Sequence, residues 1–402
     1  MWIPQAEREI LAAIKAGYLV ETATFDAKAA LPAKGKSKEL AKDVAAMAND
    51  GGTLLYGIGE NEHGRPTVLK PFELVGAKER VDQIVRTSIS EPPAIEVHEI
   101  QADDDPSLGY LVVAVPPSPR APHMVTVGEE NRYYGRSAIG NVRLTEGEVA
   151  RLYERRGRWE VDRDALLKEA VGRTPMEARE GFAYLHLVAR PVMPDEGVLD
   201  RATGETHLGQ FLNSLISEAL EPEVFEPKRM PELYPDLSAI SDFRPSPRGW
   251  TTRQGFEEEW LSNQGPVRAL VLEIGLDGSG YLFCGCVAQE HEGKLLVYED
   301  QVAGLTVRFL AVLGGLYDAA GYVGPVDVGL AVTGLGGGVS AALRHHLILR
   351  HSLEPYGGEE YLRTGRFMAS VLRDDPKAAA RNLVLPLTRV VTMERYDPFS
   401  GA

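Results

Sequence analysis

The side chains that could do chemistry fall into three short stretches of the first 140 residues. In Glu21–Lys28, the acids Glu21 and Asp26 lie five residues apart, and Lys28 follows two residues later. Further lysines recur at Lys34, Lys36, Lys38 and Lys42, and Arg132–Arg136 interleaves arginines with tyrosines. Lysine and arginine neutralise phosphates, and tyrosine rings stack on bases. Any contact with a polyanion is therefore expected to be local and N-terminal, although lysines at this spacing also occur on solvated helix starts.

Predicted secondary structure places the acids on a strand and the lysines at the start of a helix. Residues 19–27 alternate apolar and polar types, which favours a strand. On one ideal strand Glu21 and Asp26 would point to opposite faces, so they converge only if the strand bulges, twists or ends between them. Ser37 is an expected N-cap for a helix, because Leu40, Val44 and Met47 follow at helical spacing.

The remaining patterns of this region predict an α+β domain with mixed strand order. Residues 53–58 form a short apolar strand, and 81–89 an amphipathic helix that Pro92 and Pro93 stop. Strands are expected at 95–100, 110–115 and 132–136, and a polar turn at 59–64. Thr145 and Glu148 make a capping box that opens a helix to about residue 156.

Three motifs together resemble the Schlafen-type AlbA domain, a nucleic-acid-associated module, over residues 15–157. The first is the helix end Asn49-Asp50-Gly51-Gly52, which leads through an apolar strand into Gly59-Glu60. The second is Glu21–Lys28, and the third is Asn131–Arg136 with the helix that starts at Thr145. The resemblance does not extend to the C-terminal half.

Under one interpretation, the resemblance implies a catalytic site. Family members that cut RNA place three carboxylates around a divalent metal, and the matching positions here are Glu21, Asp26 and Glu60. Mg²⁺ or Mn²⁺ would suit these ligands, and Lys28 would support the phosphate. The protein would then be a divalent-metal-dependent endoribonuclease on structured RNA such as tRNA. Asp at 26, Glu at 60 and Gly at 59 depart from the family pattern.

The alternative is a domain that binds nucleic acid without cleaving it. The acids would then be ordinary solvated or salt-bridged groups, and Lys28 would pair with Asp26 or Glu21. The protein would be a non-catalytic DNA-binding regulator whose C-terminal half senses a ligand or partner. In both cases the expected partner is nucleic acid, with RNA favoured and DNA as the alternative.

The arginine–tyrosine stretch also has two interpretations. Strand alternation puts Arg132, Tyr134 and Arg136 on one face and Tyr133 on the other. The three could form a platform that contacts phosphates and stacks on bases. The alternative is a strand with exposed arginines and one tyrosine in the core.

The stretch Ala30–Ser37 fits a loose phosphate-binding loop, which gives ATP binding as a minor alternative. Only one glycine of that motif remains, and Pro32 removes an amide donor. The start of a helix flanked by lysines suits a nucleic-acid phosphate better.

Charge and composition limit the class of protein. The net charge is −15, of which residues 1–158 carry −3, from 20 Lys and Arg against 23 Asp and Glu, so residues 159–402 carry −12. A protein that coats nucleic acid non-specifically would be basic.

No membrane span or signal peptide is expected, since the most apolar stretch, 303–339, is interrupted by charges. We expect a cytoplasmic protein, and a homo-oligomer that would supply a second copy of the nucleic-acid domain.

Residues 159–402 are expected to form a second α+β domain of unrecognised family. Strands are predicted at 182–192, 267–275, 280–287, 294–298 and 326–333, and helices at 207–220, at 302–320 and from about 339 to 350. Residues 221–250 hold six prolines and are expected to be a long loop. Cys284 and Cys286 are interpreted as buried thiols, because no second cysteine pair exists to complete a zinc site. His345, His346 and His351 are interpreted as surface residues.

Overall fold

The computed structural model describes most of the chain, in two compact units, 1–160 and 161–402. The described residues are 2–33, 37–127, 131–137, 140–160, 163–193, 197–204, 207–228, 235–240, 242–258, 261–262, 265–344 and 354–400. Each unit combines helices with strands, so the predicted α+β class is confirmed.

Unit 1 combines helices with one mixed sheet, a four-stranded antiparallel sheet and a two-stranded sheet of β3 and β4. Its helices are α1 (Glu7–Lys15), α2 (Ser37–Met47), α3 (Ala77–Ser88) and α4 (Glu146–Glu160). Its first strands are β1 (Phe25–Lys28), β2 (Gly52–Tyr56), β3 (Ile58–Glu60), β4 (Pro66–Leu69), β5 (Phe72–Glu73) and β6 (Ile89–Ser90). The others are β7 (Glu96–Gln101), β8 (Leu108–Val115), β9 (Met124–Val125), β10 (Arg132–Ser137) and β11 (Gly140–Arg143).

The main sheet has the order β1-β2-β8, and both β5 and β7 pair with β8. Strands β1 and β2 run parallel, with Asp26 beside Leu54 and Lys28 beside Tyr56. The pairings of β8 with β2, β5 and β7 are antiparallel. A second, antiparallel sheet has the order β11-β10-β9-β6, and its strand β10 packs against α2.

Apolar spacing explains the position of α2. Leu40, Val44 and Met47 are at most 1% exposed and join β2 and β8 in one core. The helix begins at Ser37, as predicted. Gly57 has a φ of 101°, and a Cβ there would lie 2.7 Å from the Tyr110 ring, so this glycine separates β2 from β3.

One strand prediction was wrong in a way that matters for the site. The first strand begins at Phe25 rather than at residue 19, so Glu21 lies in the exposed segment that precedes β1. The opposite-face argument for Glu21 and Asp26 therefore does not apply. The strand is only four residues long and is defined by its parallel pairing with β2, which the local alternation of residues does not reveal.

Unit 2 is built on a large sheet. Its helices are α5 (Arg163–Gly172), α6 (Val198–Thr203), α7 (Leu208–Ala219), α8 (Glu299–Ala319), α9 (Ala369–Asp374) and α10 (Pro376–Thr392). Its first strands are β12 (Phe182–Pro191), β13 (Arg244–Ser246), β14 (Gly249–Gln254), β15 (Leu270–Gly275) and β16 (Gly280–His291). The others are β17 (Lys294–Val297), β18 (Pro325–Thr333), β19 (Val339–Ser340) and β20 (Glu360–Met368).

The sheet of unit 2 has the order β13-β14-β15-β16-β12-β18-β20 and is antiparallel along this path. Strand β17 pairs with β16 and, in parallel, with β19. The helices α8 and α10 contribute to the larger core on one side, and α5 covers a smaller core that includes Tyr184 and Phe283.

Helix α8 lies inside this larger core. Within the described part of the chain, it is the one helix long and apolar enough to cross a membrane, and 78% of its apolar window is buried in the fold. Packing inside unit 2 accounts for that apolar character.

Two predictions for unit 2 need correction. The proline-rich stretch 221–250 is not one loop, because it contains β13 and the start of β14. After the glycine-rich turn, the described residues form the short strand β19 and a turn up to residue 344 rather than a helix. Residues 345–353, with His345, His346 and His351, lie outside the described residues.

Candidate functional site

A buried carboxylate pair forms the centre of the charged site in unit 1. Asp26 on β1 and Asp43 on α2 are 4% and 3% exposed. The Lys28 ammonium nitrogen lies 3.2 Å from Asp26 Oδ2 and 3.4 Å from Asp43 Oδ2. One lysine at the end of β1 therefore contacts both acids.

Arg136 on β10 contacts the same two carboxylates. Its Nη1 donates to Asp26 Oδ2 at 3.0 Å and lies 3.6 Å from Asp43 Oδ1. Its Nη2 donates to the carbonyl oxygen of Thr22 at 3.3 Å. The Asn141 amide donates to Asp43 Oδ1 at 2.6 Å. We call Asp26, Asp43, Lys28 and Arg136 the four-charge cluster, and its formal charges balance.

The pKa values of Lys28 and Asp43 in the cluster, and of the nearby Tyr56, are shifted. Burial lowers the pKa of Lys28, but the negative charges and hydrogen bonds of Asp43 and Asp26 raise it by more. The pKa of Lys28 is therefore raised overall. Burial raises the pKa of Asp43, against the opposing effects of Lys28 and Asn141. Tyr56 is fully buried, and burial followed by the charges of Asp43 and Asp26 raises its pKa. Its hydroxyl has no hydrogen-bond partner among the described residues.

The three carboxylates implied by the family resemblance differ in environment. Glu21 and Glu60 are exposed, whereas Asp26 is buried in the four-charge cluster. The pKa of Glu21 is raised by burial and then by its interactions with Asp26 and Glu60, which Lys28 opposes. Glu21 therefore interacts electrostatically with both of the other acids.

The donor set around Asp26 does not fit a divalent metal. Lys28 and Arg136 are both in ion-pair contact with Asp26 Oδ2. A metal would have to displace at least one of these cations to reach that oxygen. Within the described ranges, no three His, Cys, Asp or Glu side chains are grouped so that they could hold a metal ion.

Basic side chains near the cluster are partly exposed. Lys38 and Lys42 lie on α2, and Arg132 is exposed at the start of β10. Lys42 pairs with Glu39 at 3.0 Å and lies 5.4 Å from the centre of the Tyr134 ring. The predicted contacts Lys34 and Lys36 fall outside the described residues, as does the middle of the loop 30–37 on which the ATP-binding alternative rests.

Two of the predicted nucleic-acid contacts need correction. Tyr134 is 5% exposed and belongs to the core between α2 and the sheet, so its ring is not available for stacking on a base. The Arg136 side chain is 6% exposed and engaged in the four-charge cluster. The two share one face of β10, as predicted, but α2 covers that face. Tyr133, on the other face, is half-buried, and its hydroxyl lies 2.8 Å from that of Tyr153.

Sequence reasoning missed Asp43, Asn141 and Tyr56 as parts of the site. For Asp43 a signal was present, because it lies three residues after Leu40 and four before Met47, on the apolar face of α2. An acid on that face needs a partner of opposite charge. For Asn141 and Tyr56 the sequence carries no comparable signal.

In unit 2, the predicted buried thiols are found where they were expected. Cys284 and Cys286 are free and fully buried, and burial raises their pKa values, to about 12 for Cys284. An open cleft of about 610 Å³ lies beside α5. There the Arg173 guanidinium stacks on Tyr281 at 4.6 Å and pairs with Glu273.

Comparison with known proteins identifies the class of unit 1. Residues 21–145 match the sequence model of the family described as Schlafen, AlbA_2, so unit 1 contains a Schlafen-type AlbA domain, as the resemblance predicted. Such a domain indicates nucleic-acid binding. A solved structure that resembles the chain is the solution NMR structure of the N-terminal domain of a "putative ATP-dependent DNA helicase RecG-related protein" from Nitrosomonas europaea. The two are 20% identical, with 33% of this chain and 89% of that chain covered and a TM-score of 0.27. No curated protein matches the chain.

Proposed function

We propose that unit 1 binds nucleic acid, with structured RNA favoured over DNA. The observation that carries this proposal is the match of residues 21–145 to the Schlafen AlbA_2 family. The partly exposed lysines of α2 and the exposed Arg132 at the start of β10 support it. On a chain with a net charge of −15, binding of a polyanion needs such a local basic surface.

The proposed contact surface consists of four described side chains, Lys28, Lys38, Lys42 and Arg132, together with Lys34 and Lys36 from the sequence. The side chain of Lys28 is 34% exposed, so its ammonium group can contact a phosphate while it holds the two buried acids. Lys42 is 19% exposed and contributes less. Lysine acts here as a point charge and does not read sequence, so we expect affinity without base specificity.

A double charge reversal tests the proposal. Lys38→Glu with Arg132→Glu should weaken binding of a labelled tRNA or hairpin RNA by about tenfold or more at roughly 100 mM salt. Arg8→Glu with Lys15→Glu is the matched control, because both side chains are exposed on α1 and the net charge changes equally. The control should bind like the wild-type protein in fluorescence anisotropy titrations.

Equal losses of affinity in the two double variants would show that overall charge, rather than this surface, governs binding. Unchanged affinity in both would contradict the proposed surface. Circular dichroism of both variants checks that the fold is retained.

Metal-dependent cleavage of structured RNA such as tRNA is the second candidate function. Its support is the match of Glu21, Asp26 and Glu60 to the three carboxylate positions of the family, whereas the ion pairs of Asp26 with Lys28 and Arg136 oppose metal binding. If Mg²⁺ or Mn²⁺ is used, Glu21→Gln should abolish RNA cleavage and leave RNA affinity within about twofold. A wild-type protein that binds RNA but does not cleave it in either metal would exclude this candidate.

A DNA-binding regulator with a ligand-sensing unit 2 is the remaining alternative. It is favoured by the cleft of about 610 Å³ in unit 2, a volume within the usual range of small-molecule sites.

A homo-oligomer would place two AlbA domains on one nucleic acid and raise the effective affinity. Light scattering of the intact chain measures the oligomeric state, and a monomer at all concentrations would contradict that part of the proposal.

A further inference from the structure

We propose that Lys28 and Arg136 take the place of a divalent cation between Asp26 and Asp43, so that the acids at the centre of the AlbA domain carry a built-in counter-charge. This inference does not depend on nucleic-acid binding. It assigns a role to Asp43, which the family resemblance does not include. It also predicts which substitution would turn the cluster into a metal site.

The geometry of the four-charge cluster carries the argument. The Lys28 Nζ lies within 3.4 Å of an oxygen of each acid, and the Arg136 Nη1 within 3.6 Å of an oxygen of each. Both cationic groups thus bridge the same two carboxylates, as a divalent ion shared by two acids would. Two unit positive charges also match the charge of such an ion.

Burial makes this pairing necessary. The side chains of Asp26, Asp43 and Arg136 are at most 6% exposed, so an unpaired charge among them would be poorly solvated. A divalent ion added to the intact cluster would meet two positive charges already in contact with its intended ligands. The wild-type cluster should therefore reject Mg²⁺ and Mn²⁺.

The two cations are not equally replaceable. Arg136 is also held by its hydrogen bonds to Thr22 and Asn141, whereas the side chain of Lys28 is 34% exposed. Removal of the lysine charge would leave two carboxylates and one guanidinium, with a net charge of −1. Two carboxylates and solvent water form a ligand set that Mg²⁺ or Mn²⁺ accepts.

Binding of Mn²⁺ to the 402-residue chain tests the proposal. Electron paramagnetic resonance of free Mn²⁺ should show one additional site in Lys28→Met relative to the wild-type protein. That site should bind at least about tenfold more tightly than the non-specific acidic surface does. The site should disappear in Lys28→Met combined with Asp26→Asn. Lys78→Met is the matched control, because Lys78 contacts another carboxylate, Glu99, at 3.9 Å.

A wild-type protein that binds one Mn²⁺ ion, and loses it on Asp26→Asn alone, would overturn the proposal. The comparison of the wild-type protein with Asp26→Asn tests the proposal even if Lys28→Met does not fold. A folded Lys28→Met that gains no site would overturn it as well, because the lysine would then not be standing in for a metal ion.

Discussion

At the scale of single residues, the four-charge cluster is the feature that sets unit 1 apart from an ordinary packed domain. Buried ions are destabilising unless each finds a partner, and here each of the four does. Removing one partner leaves the others with uncompensated charge, which costs more than the pair itself contributes to stability.

The first stability prediction concerns Arg136. Arg136→Met should lower the local stability of unit 1 by about 3 kcal/mol, because Asp26 and Asp43 would share Lys28 alone. Arg132→Met, four positions earlier on the same strand, should change it by less than about 0.5 kcal/mol, since Arg132 is exposed. Hydrogen–deuterium exchange of peptides from β1 and α2 measures the difference. Equal protection in the two variants would contradict a structural role for the cluster.

Strand alternation predicted that Tyr134 and Arg136 share a face but not that α2 covers it. Alternation fixes which side chains point the same way along a strand, whereas coverage depends on a helix about ninety residues earlier in the chain. The base-stacking role assigned to Tyr134 was wrong for this reason. Asp43 could have been found from its position on the apolar face of α2.

At the scale of elements, the start of α8 carries a buried acid with an unusual proton affinity. Glu299 is 2% exposed, and its Oε2 accepts a hydrogen bond from the Ala342 amide at 3.3 Å. Burial raises the pKa of Glu299 to about 7, although Ser340 and Ala342 oppose the rise, and nearby Asp300 adds to it. The folded chain therefore keeps this proton at pH values where the unfolded chain has lost it.

This raised pKa predicts a pH dependence of stability. Between the ordinary value of 4.5 and about 7, the folded state binds more protons at Glu299 than the unfolded state, so stability falls as pH rises. Glu299→Gln should remove this dependence. The free energy of unfolding of the variant, relative to that of the wild-type protein, should therefore rise by roughly a few kcal/mol between pH 5 and pH 8, as proton linkage requires.

Differential scanning calorimetry of the two proteins across this range measures the effect. His123 and His186 have pKa values lowered to about 4 by burial and change stability in the opposite direction, but they do so in both proteins. They therefore cancel in the difference between wild type and variant. Glu292→Gln is the control, because that side chain is 82% exposed. Parallel pH profiles for wild type and Glu299→Gln would contradict the assignment.

The helices and strands whose apolar residues recur with a clear local period were predicted well. Helices α2 and α3, strands β7 and β8, and the capping box at Thr145 were confirmed, the last by the hydrogen bonds between Thr145 and Glu148. The start of β1 and the strands within 221–250 were not, because they are short and are defined by pairing with distant segments.

At the scale of the whole molecule, charge is divided unequally along the chain. Residues 1–158 carry −3 of the net charge of −15, so this part of the chain is the one on which a polyanion meets the least repulsion. With about four phosphates neutralised, the logarithm of RNA affinity should fall with the logarithm of salt concentration at a slope of about −3. A slope near zero would indicate that the contact is not ionic.

The central claim is that the AlbA domain binds nucleic acid through the surface at α2 and β10 with no need of a divalent metal. Anisotropy titration of the 402-residue chain with a labelled structured RNA, in EDTA and then in Mg²⁺ at constant ionic strength, tests it most directly. We expect equal affinities in the two conditions and a loss of about tenfold in Lys38→Glu with Arg132→Glu. Binding that appears only with Mg²⁺, or that the double variant leaves intact, would contradict the account.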